Sequence, residues 1–444
     1  MNDIGKIQLK IIRDCSNYLQ KLKKKNIDIA VSPLCFFTTW AKNPGNLKLR
    51  NLLKKPQDFL YILKNILSVA KNHDLEVFYN KNYKKKKNVN IIISYSTKKN
   101  FDNKGNFYDY YFSISNKKKN ILWFLVSLDN FIPKKINENI IIISKQKPKS
   151  ISIKYFIKNL LNLLIVNKFS FLKFIHYCWF EYDFAKKISS LFHKTFKEVN
   201  IKKVLINYEG IPFQNLLFRT IKKKNKNIKT FGYLHCAPWP LQIDLLYKNF
   251  LIDKLFVSGL DQKRVLQNNL GWSKKNLKVV PSLRFKKNKN KEFAGYIFFP
   301  YNLSNTNDYL ERFENFLLKS SNQSLGKLKI RIHPLNRSSN VHMQLKKKFE
   351  EILVKEKSKF IYKVKSLSLF FGSATGVCVQ SLEEGTEIIH FPDNETDVFS
   401  SKLWKNINVK QIDTRTFYYK IKNFKKTFLV NSEKNKFNKY MQLN

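Results

Sequence analysis

Apolar and polar positions along the 444-residue chain change their period several times. Up to about residue 80 the apolar positions recur at helical spacing, broken at Pro33, Pro44-Gly45 and Pro56. The runs LEVFYN (75–80), VNIIISYS (89–96), YYFSIS (110–115) and NIIIIS (139–144) predict strands, set apart by Lys/Asn-rich turns. Residues 150–198 read as helical and aromatic. From Lys202 the signal sharpens. KKVLINYEG predicts a strand ending at Asn207-Tyr208-Glu209-Gly210, followed by a helix from Pro212 to Lys226. TFGYLHCAPWP predicts a strand ending at His235, and DKLFVSG (253–259) and LKVVPSL (277–283) continue the alternation, which implies a parallel sheet. The run KKNKNK (286–291) has the composition of a linker. GYIFFPY (295–301) then opens a second series: KIRIHPL (329–335), LFFGSATG (369–376), a helix from Val377 to Glu384, and a strand at Ile388–Phe391. The fold class is therefore α/β. The pattern divides the chain into an N-terminal domain (1–285), a linker (286–294) and a C-terminal domain (295–444) with a helical tail after Trp404, leaving a cleft between the domains.

A hydrophobic content of 43% with 15% aromatics argues against a disordered chain. Lys and Arg number 83 against 32 Asp and Glu, a formal charge of +51, so the field around the molecule should draw phosphates, nucleic acid or acidic lipid. The excess is nearly all Lys and comes with much Asn, Ile, Phe and Tyr, the amino-acid usage of an AT-rich genome. Basic runs at Lys84–Lys87 and Lys117–Lys119 are expected as solvated loop tips. Five scattered cysteines (15, 35, 178, 236 and 378) without CxxC spacing fit a reducing compartment, and neither a disulfide framework nor a zinc site. MNDIGKIQLKIIRDC has no signal-peptide core, and Lys158, Lys168 and Lys173 interrupt the apolar stretch 155–184 too often for a membrane span. A cytoplasmic location is expected.

Ligands of open α/β domains sit beyond the carboxyl ends of the strands, so polar residues there carry the candidate chemistry. His333, fixed by Pro334, can donate to a phosphate oxygen, and Arg331 alternates onto the same side of its strand. The string Gly372-Ser373-Ala374-Thr375-Gly376 offers two hydroxyls and free N–H groups at a helix start, an anion cradle or a plain N-cap. Glu209 should project into the cleft as a general base, with His235 a second candidate. Glu383, beside Glu384, could hold ribose hydroxyls. Asp261, Asp308 and the DNETD string (393–397) belong in caps and loops by this reading, and Glu181-Tyr182-Asp183 is structural. No P-loop, no GxGxxG and no zinc-ligand spacing occurs, so no cofactor and no metal is expected.

A strand ending in YEG, one ending near GYLH, one ending in HP and a later Ser/Thr string, in that order, resemble bacterial surface-carbohydrate glycosyltransferases of the two-Rossmann (GT-B) kind. The nearest groups are those of O-antigen and capsule loci and, more distantly, bacterial sialyltransferases. The resemblance covers roughly 204–392. It implies two Rossmann-like domains, Glu209 as acceptor base, and donor phosphate held by His333, Ser373 and Thr375, with Gly372, Gly376 and Glu383 near the nucleotide. Tyr208 stands where the family has an acid, and Gln380 where many members have a ribose-binding Glu. The function implied is metal-independent transfer from a nucleotide-sugar, such as a CMP-sugar, to a surface polysaccharide or lipid-linked glycan, with peripheral contact to anionic membrane. The alternatives are a CDP-activated glycerophosphate or polyol-phosphate transferase and a basic nucleic-acid-binding protein.

Overall fold

The computed structural model describes residues 3–31, 74–80, 82, 88–116, 121–145, 157, 180–248, 251–283, 293–301, 303, 306–319, 328–333, 336–355, 367–374, 376–422 and 428–430. The proline breaks at 33–56, the Lys runs at 84–87 and 117–119, most of the linker, Pro334 and Thr375 lie outside these residues.

Chain segments that are apolar on both faces become the middle of a sheet, because helices must cover them on each side. VNIIISYS forms β2 (Val89–Ser96), buried at every position. Around it an eight-stranded sheet runs in the order β1 (Leu75–Tyr79), β6 (Ile140–Lys145), β5 (Ile121–Ser127), β2, β7 (Ile201–Asn207), β8 (Lys229–Tyr233), β9 (Lys254–Val257), β10 (Leu277–Val279). All neighbours pair in parallel except β1, which joins β6 antiparallel at the edge. β5 is apolar from Ile121 to Val126 and so gives no alternation to read. YYFSIS (110–115), expected as one strand, instead forms a tight turn and the two-residue β4 (Ile114–Ser115), which pairs with the two-residue β3 (Tyr108–Asp109) just before it. The buried Asp109 carboxylate accepts from the N–H groups of Tyr111 and Phe112 at 2.7 Å each, which pulls the backbone out of the extended state.

The second sheet has six strands, ordered β12 (Lys329–Arg331), β11 (Tyr296–Phe298), β13 (Leu367–Phe371), β14 (Glu387–Phe391), β16 (Thr416–Ile421), β15 (Ile407–Asp413). The first four are parallel. The last two form an antiparallel hairpin where a helical tail was expected. INVKQID alternates covered or half-buried positions with exposed ones, the pattern of an edge strand with one wet face, and β14 offers it a partner ladder through β16.

Helices α1 (Ile4–Lys24), α2 (Phe180–Thr195), α3 (Pro212–Lys224), α4 (Leu260–Asn269), α5 (Thr306–Lys319), α6 (Asn340–Lys355) and α7 (Gly376–Glu383) cover the sheets. One large apolar core runs from α1 through the first sheet into the β14–β16 side of the second. Polar ties cross between the halves as well. Asn406 donates to the Asp261 carboxylate from its backbone (3.0 Å) and side chain (2.6 Å), and Trp404 Nε1 donates to the Pro240 carbonyl at 2.8 Å. Among the described residues, no helix is long and apolar enough to cross a membrane.

Candidate active site

The carboxyl ends of β7 and β8 face those of β13 and β14 across a cleft, and the turns leaving these strands line it. Every part of the YEG turn has a task. Tyr208 is buried, and its hydroxyl donates to Asn215 Oδ1 at 2.8 Å. Gly210 adopts φ +82°, and a Cβ there would lie 2.4 Å from the Asp244 carbonyl oxygen, so only glycine fits. Between them the Glu209 backbone N–H donates to Gln214 Oε1 at 2.8 Å, which leaves the carboxylate pointing into a cavity of about 550 Å³. Although 36 % of that side chain stays open, the surrounding protein desolvates it and pushes its carboxyl up to about 7. The Tyr95 hydroxyl, 3.5 Å from Oε2, opposes that rise, and the Asp244 charge adds to it.

His235 lies two residues beyond the end of β8. It is only 3 % exposed, and its Nε2 stands 3.3 Å from Glu209 Oε1 and 3.0 Å from Cys236 Sγ. The edge of Tyr111 meets its ring with centroids 4.4 Å apart. The two base candidates are thus brought together, and with them Cys236.

From the other half, Ser373 reaches the same cavity, but its hydroxyl donates to Asp397 Oδ1 at 2.9 Å. Burial pushes the Asp397 carboxyl up to about 6, against the pull of that hydrogen bond. Asp393 and Asp244 also line the cavity, whose described lining carries four carboxyl groups and no Lys or Arg. This is an acidic pocket inside a chain of formal charge +51.

Next to it lies a second cavity of about 780 Å³, lined by Arg331, His333, Arg337 and Lys346, together with Gly376 and Gln380. Cys236, Ala237 and Trp239 border both cavities, and the Trp239 ring is half exposed where they meet. Arg331 lies over the Tyr296 ring, 4.6 Å from its centroid, and His333 meets Tyr301 edge-on at 5.2 Å. Arg331 and His333 therefore share a wall, as the alternation predicts. Ser373 does not share it: the expected single cradle is divided, with His333 in the basic cavity and Ser373 in the acidic one. Gly372 sits at φ +70° with Pro300 packed where a Cβ would be, and its carbonyl accepts from buried His390 at 2.7 Å, so its place is architectural. Gly376 starts α7 beside the basic cavity.

Glu383 corrects the ribose expectation. Its carboxylate accepts from the N–H groups of Phe428, Leu429 and Val430 at 3.2, 2.7 and 3.3 Å, and it lines neither cavity. Three otherwise unmet backbone donors claim it. The DNETD string sits in a loop and a capped turn as expected, and its Asp393 and Asp397 also line the acidic cavity. Trp239, Asp244 and Cys236 were not singled out by sequence, although the CAPWP loop after β8 occupies a strand-end position where such residues collect.

No protein-family model and no curated protein matches the chain. Among solved structures, the trehalose-6-phosphate phosphatase N-terminal domain of Candida albicans is 11% identical, with a TM-score of 0.34 over 67% of this chain and 81% of that one. The lipopolysaccharide outer core galactosyltransferase WaaB, in apo form, is 11% identical, with a TM-score of 0.27 over 63% of this chain and 73% of that one. At this overlap neither bears on the chemistry.

Proposed function

We propose that the protein is a glycosyltransferase that moves a sugar from a nucleotide-sugar donor to a hydroxyl of a surface glycan. The observation that supports this most is the division of charge along one cleft, with a basic wall on one side of Trp239 and a carboxyl-lined pocket on the other. Donor phosphates belong against Arg331, His333, Arg337 and Lys346, which neutralise the charge that grows as the phosphate leaves. The sugar ring belongs at Trp239. The acceptor hydroxyl belongs beside Glu209, next to His235. Its oxygen attacks the anomeric carbon, the bond to the phosphate oxygen breaks with the electron pair on phosphate, and Glu209 takes the proton. The +51 charge suits an acceptor anchored in an anionic bilayer.

The test is a thermal-shift screen against CMP-, UDP-, GDP- and CDP-linked compounds, followed by mass analysis of products with glycan acceptors. One nucleotide class should raise Tm, and the product should gain a sugar without phosphorus. A product that gains phosphorus would replace sugar transfer by polyol-phosphate transfer. No response to any nucleotide, with a salt-sensitive affinity for RNA instead, would sink the transferase reading.

A further inference from the structure

Glu209, His235 and Cys236 together present a carboxylate oxygen, an imidazole nitrogen and a sulfur, all within 4.8 Å of one another. The sulfur and the carboxylate oxygen approach the same ring nitrogen, at 3.0 and 3.3 Å. One ring nitrogen carries at most one proton, so it cannot donate to both neighbours. The Cys236 thiol can itself donate to that nitrogen, and once it is deprotonated all three atoms offer a lone pair to a single cation. Zinc-class ions bind sulfur at about 2.3 Å and nitrogen or oxygen at about 2.0–2.2 Å; in a tetrahedral shell this sets ligand atoms roughly 3.3–3.7 Å apart. Two of the three separations here, 3.0 and 3.3 Å, are near that spacing, and the third is within 4.8 Å. Glu209 and Cys236 also line the carboxyl-rich cavity, so a fourth coordination position would open onto it.

Two acceptors at the same cavity, Asp244 Oδ1 and Gln242 Oε1, are also buried and lack a hydrogen-bond partner among the described residues. Gln242 is only 5 % exposed. Buried Lys248 offsets part of the Asp244 charge, but four carboxyl groups with no Lys or Arg on the described lining leave acceptors that a divalent ion would satisfy.

We propose that Glu209, His235 and Cys236 form a binding site for a zinc-class divalent cation, with its open position toward the acceptor side of the cleft. Mixed nitrogen, sulfur and oxygen donors select Zn²⁺, Co²⁺ or Fe²⁺ over Mg²⁺ and Ca²⁺, which require oxygen shells. Binding deprotonates the thiol and occupies the carboxylate, so a loaded site is unable to serve as the proton acceptor of the transfer step. Sequence spacing conceals the set, because Glu209 is far along the chain from the adjacent pair at 235 and 236 and only the parallel pairing of β7 with β8 unites them.

Titration of the full chain with Co²⁺ tests this without recourse to activity. One Co²⁺ per chain should bind, with a thiolate-to-cobalt charge-transfer band in the near ultraviolet and the visible bands of a four-coordinate ion. Zn²⁺ should displace it and a large excess of Mg²⁺ should not. Cys236→Ser, a near-isosteric change at a partly exposed position, should abolish the charge-transfer band, and Glu209→Gln should weaken binding at least tenfold. No stoichiometric binding, or a charge-transfer band that persists in Cys236→Ser, would overturn the site. Either result leaves the transfer reading to its own nucleotide screen.

Discussion

At Gly210 the backbone takes φ +82° against the Asp244 carbonyl, and the direction of the Glu209 carboxylate depends on that turn. Gly210→Ala should therefore cost on the order of 2 kcal/mol of stability, read by denaturant unfolding, and should lower activity further by turning Glu209 away. An unchanged midpoint would mean that the turn relaxes at little cost. Glu209→Gln keeps shape and removes the proton acceptor, so turnover should drop by about 10²–10⁴-fold while donor affinity holds. His333→Ala acts on the other wall and should cost roughly a hundredfold in turnover, the usual effect of losing one donor to developing charge. Near-normal turnover in His333→Ala would remove phosphate from that cavity.

At the scale of elements, β13, β14 and β16 are locked by one buried histidine. His390 Nε2 donates to the Gly372 carbonyl at 2.7 Å, which leaves Nδ1 to accept from the Tyr419 hydroxyl at 2.9 Å. Burial pushes its pKa down to about 4 from 6.5; the Arg312 charge pushes the same way, and the hydrogen bond to Gly372 opposes both. The unfolded chain takes up a proton below about 6.5 that the folded chain refuses until about 4, so this contribution to stability falls as pH drops through that window. Asp397 and Glu383, whose carboxyls burial raises, work in the opposite sense over an overlapping range. The comparison must therefore be with a variant. At pH 7, His390→Leu should be less stable by about 2 kcal/mol, for an unmet carbonyl and hydroxyl. Between pH 6.5 and 4 the wild type should lose that advantage, and a constant gap across the window would show that folding leaves the His390 pKa unshifted. The strands here were legible because short apolar runs alternating with helical stretches mark a parallel sheet, and polar residues at the strand ends made Glu209, His235 and His333 stand out. β15 and β16 were not, since a half-wet edge pair gains its identity only from the strand it joins. Cys236, Asp393 and Asp397 were hidden for the same kind of reason: local spacing carries no trace of which strand ends meet.

Over the whole molecule, a formal charge of +51 repels itself in the folded state. Raising NaCl from about 0.1 M to about 1 M shortens the screening length from about 10 Å to about 3 Å. Tm should rise over that range; a flat or falling Tm would show that counter-charges within the fold already quench the field. The two halves are also fastened by each other's ends. Near the start of the chain, Gln8 Nε2 donates to the Val398 carbonyl at 2.6 Å, and its Oε1 accepts from Ser400 at 2.7 Å. Far along the chain, the Phe428 carbonyl accepts from Asp261 N at 2.8 Å, on the opposite half. Like two hands each gripping the other wrist, this exchange leaves neither half with a finished surface of its own. Separate expression of 1–285 and 295–444 should yield aggregates, whereas the intact chain should melt in one calorimetric step.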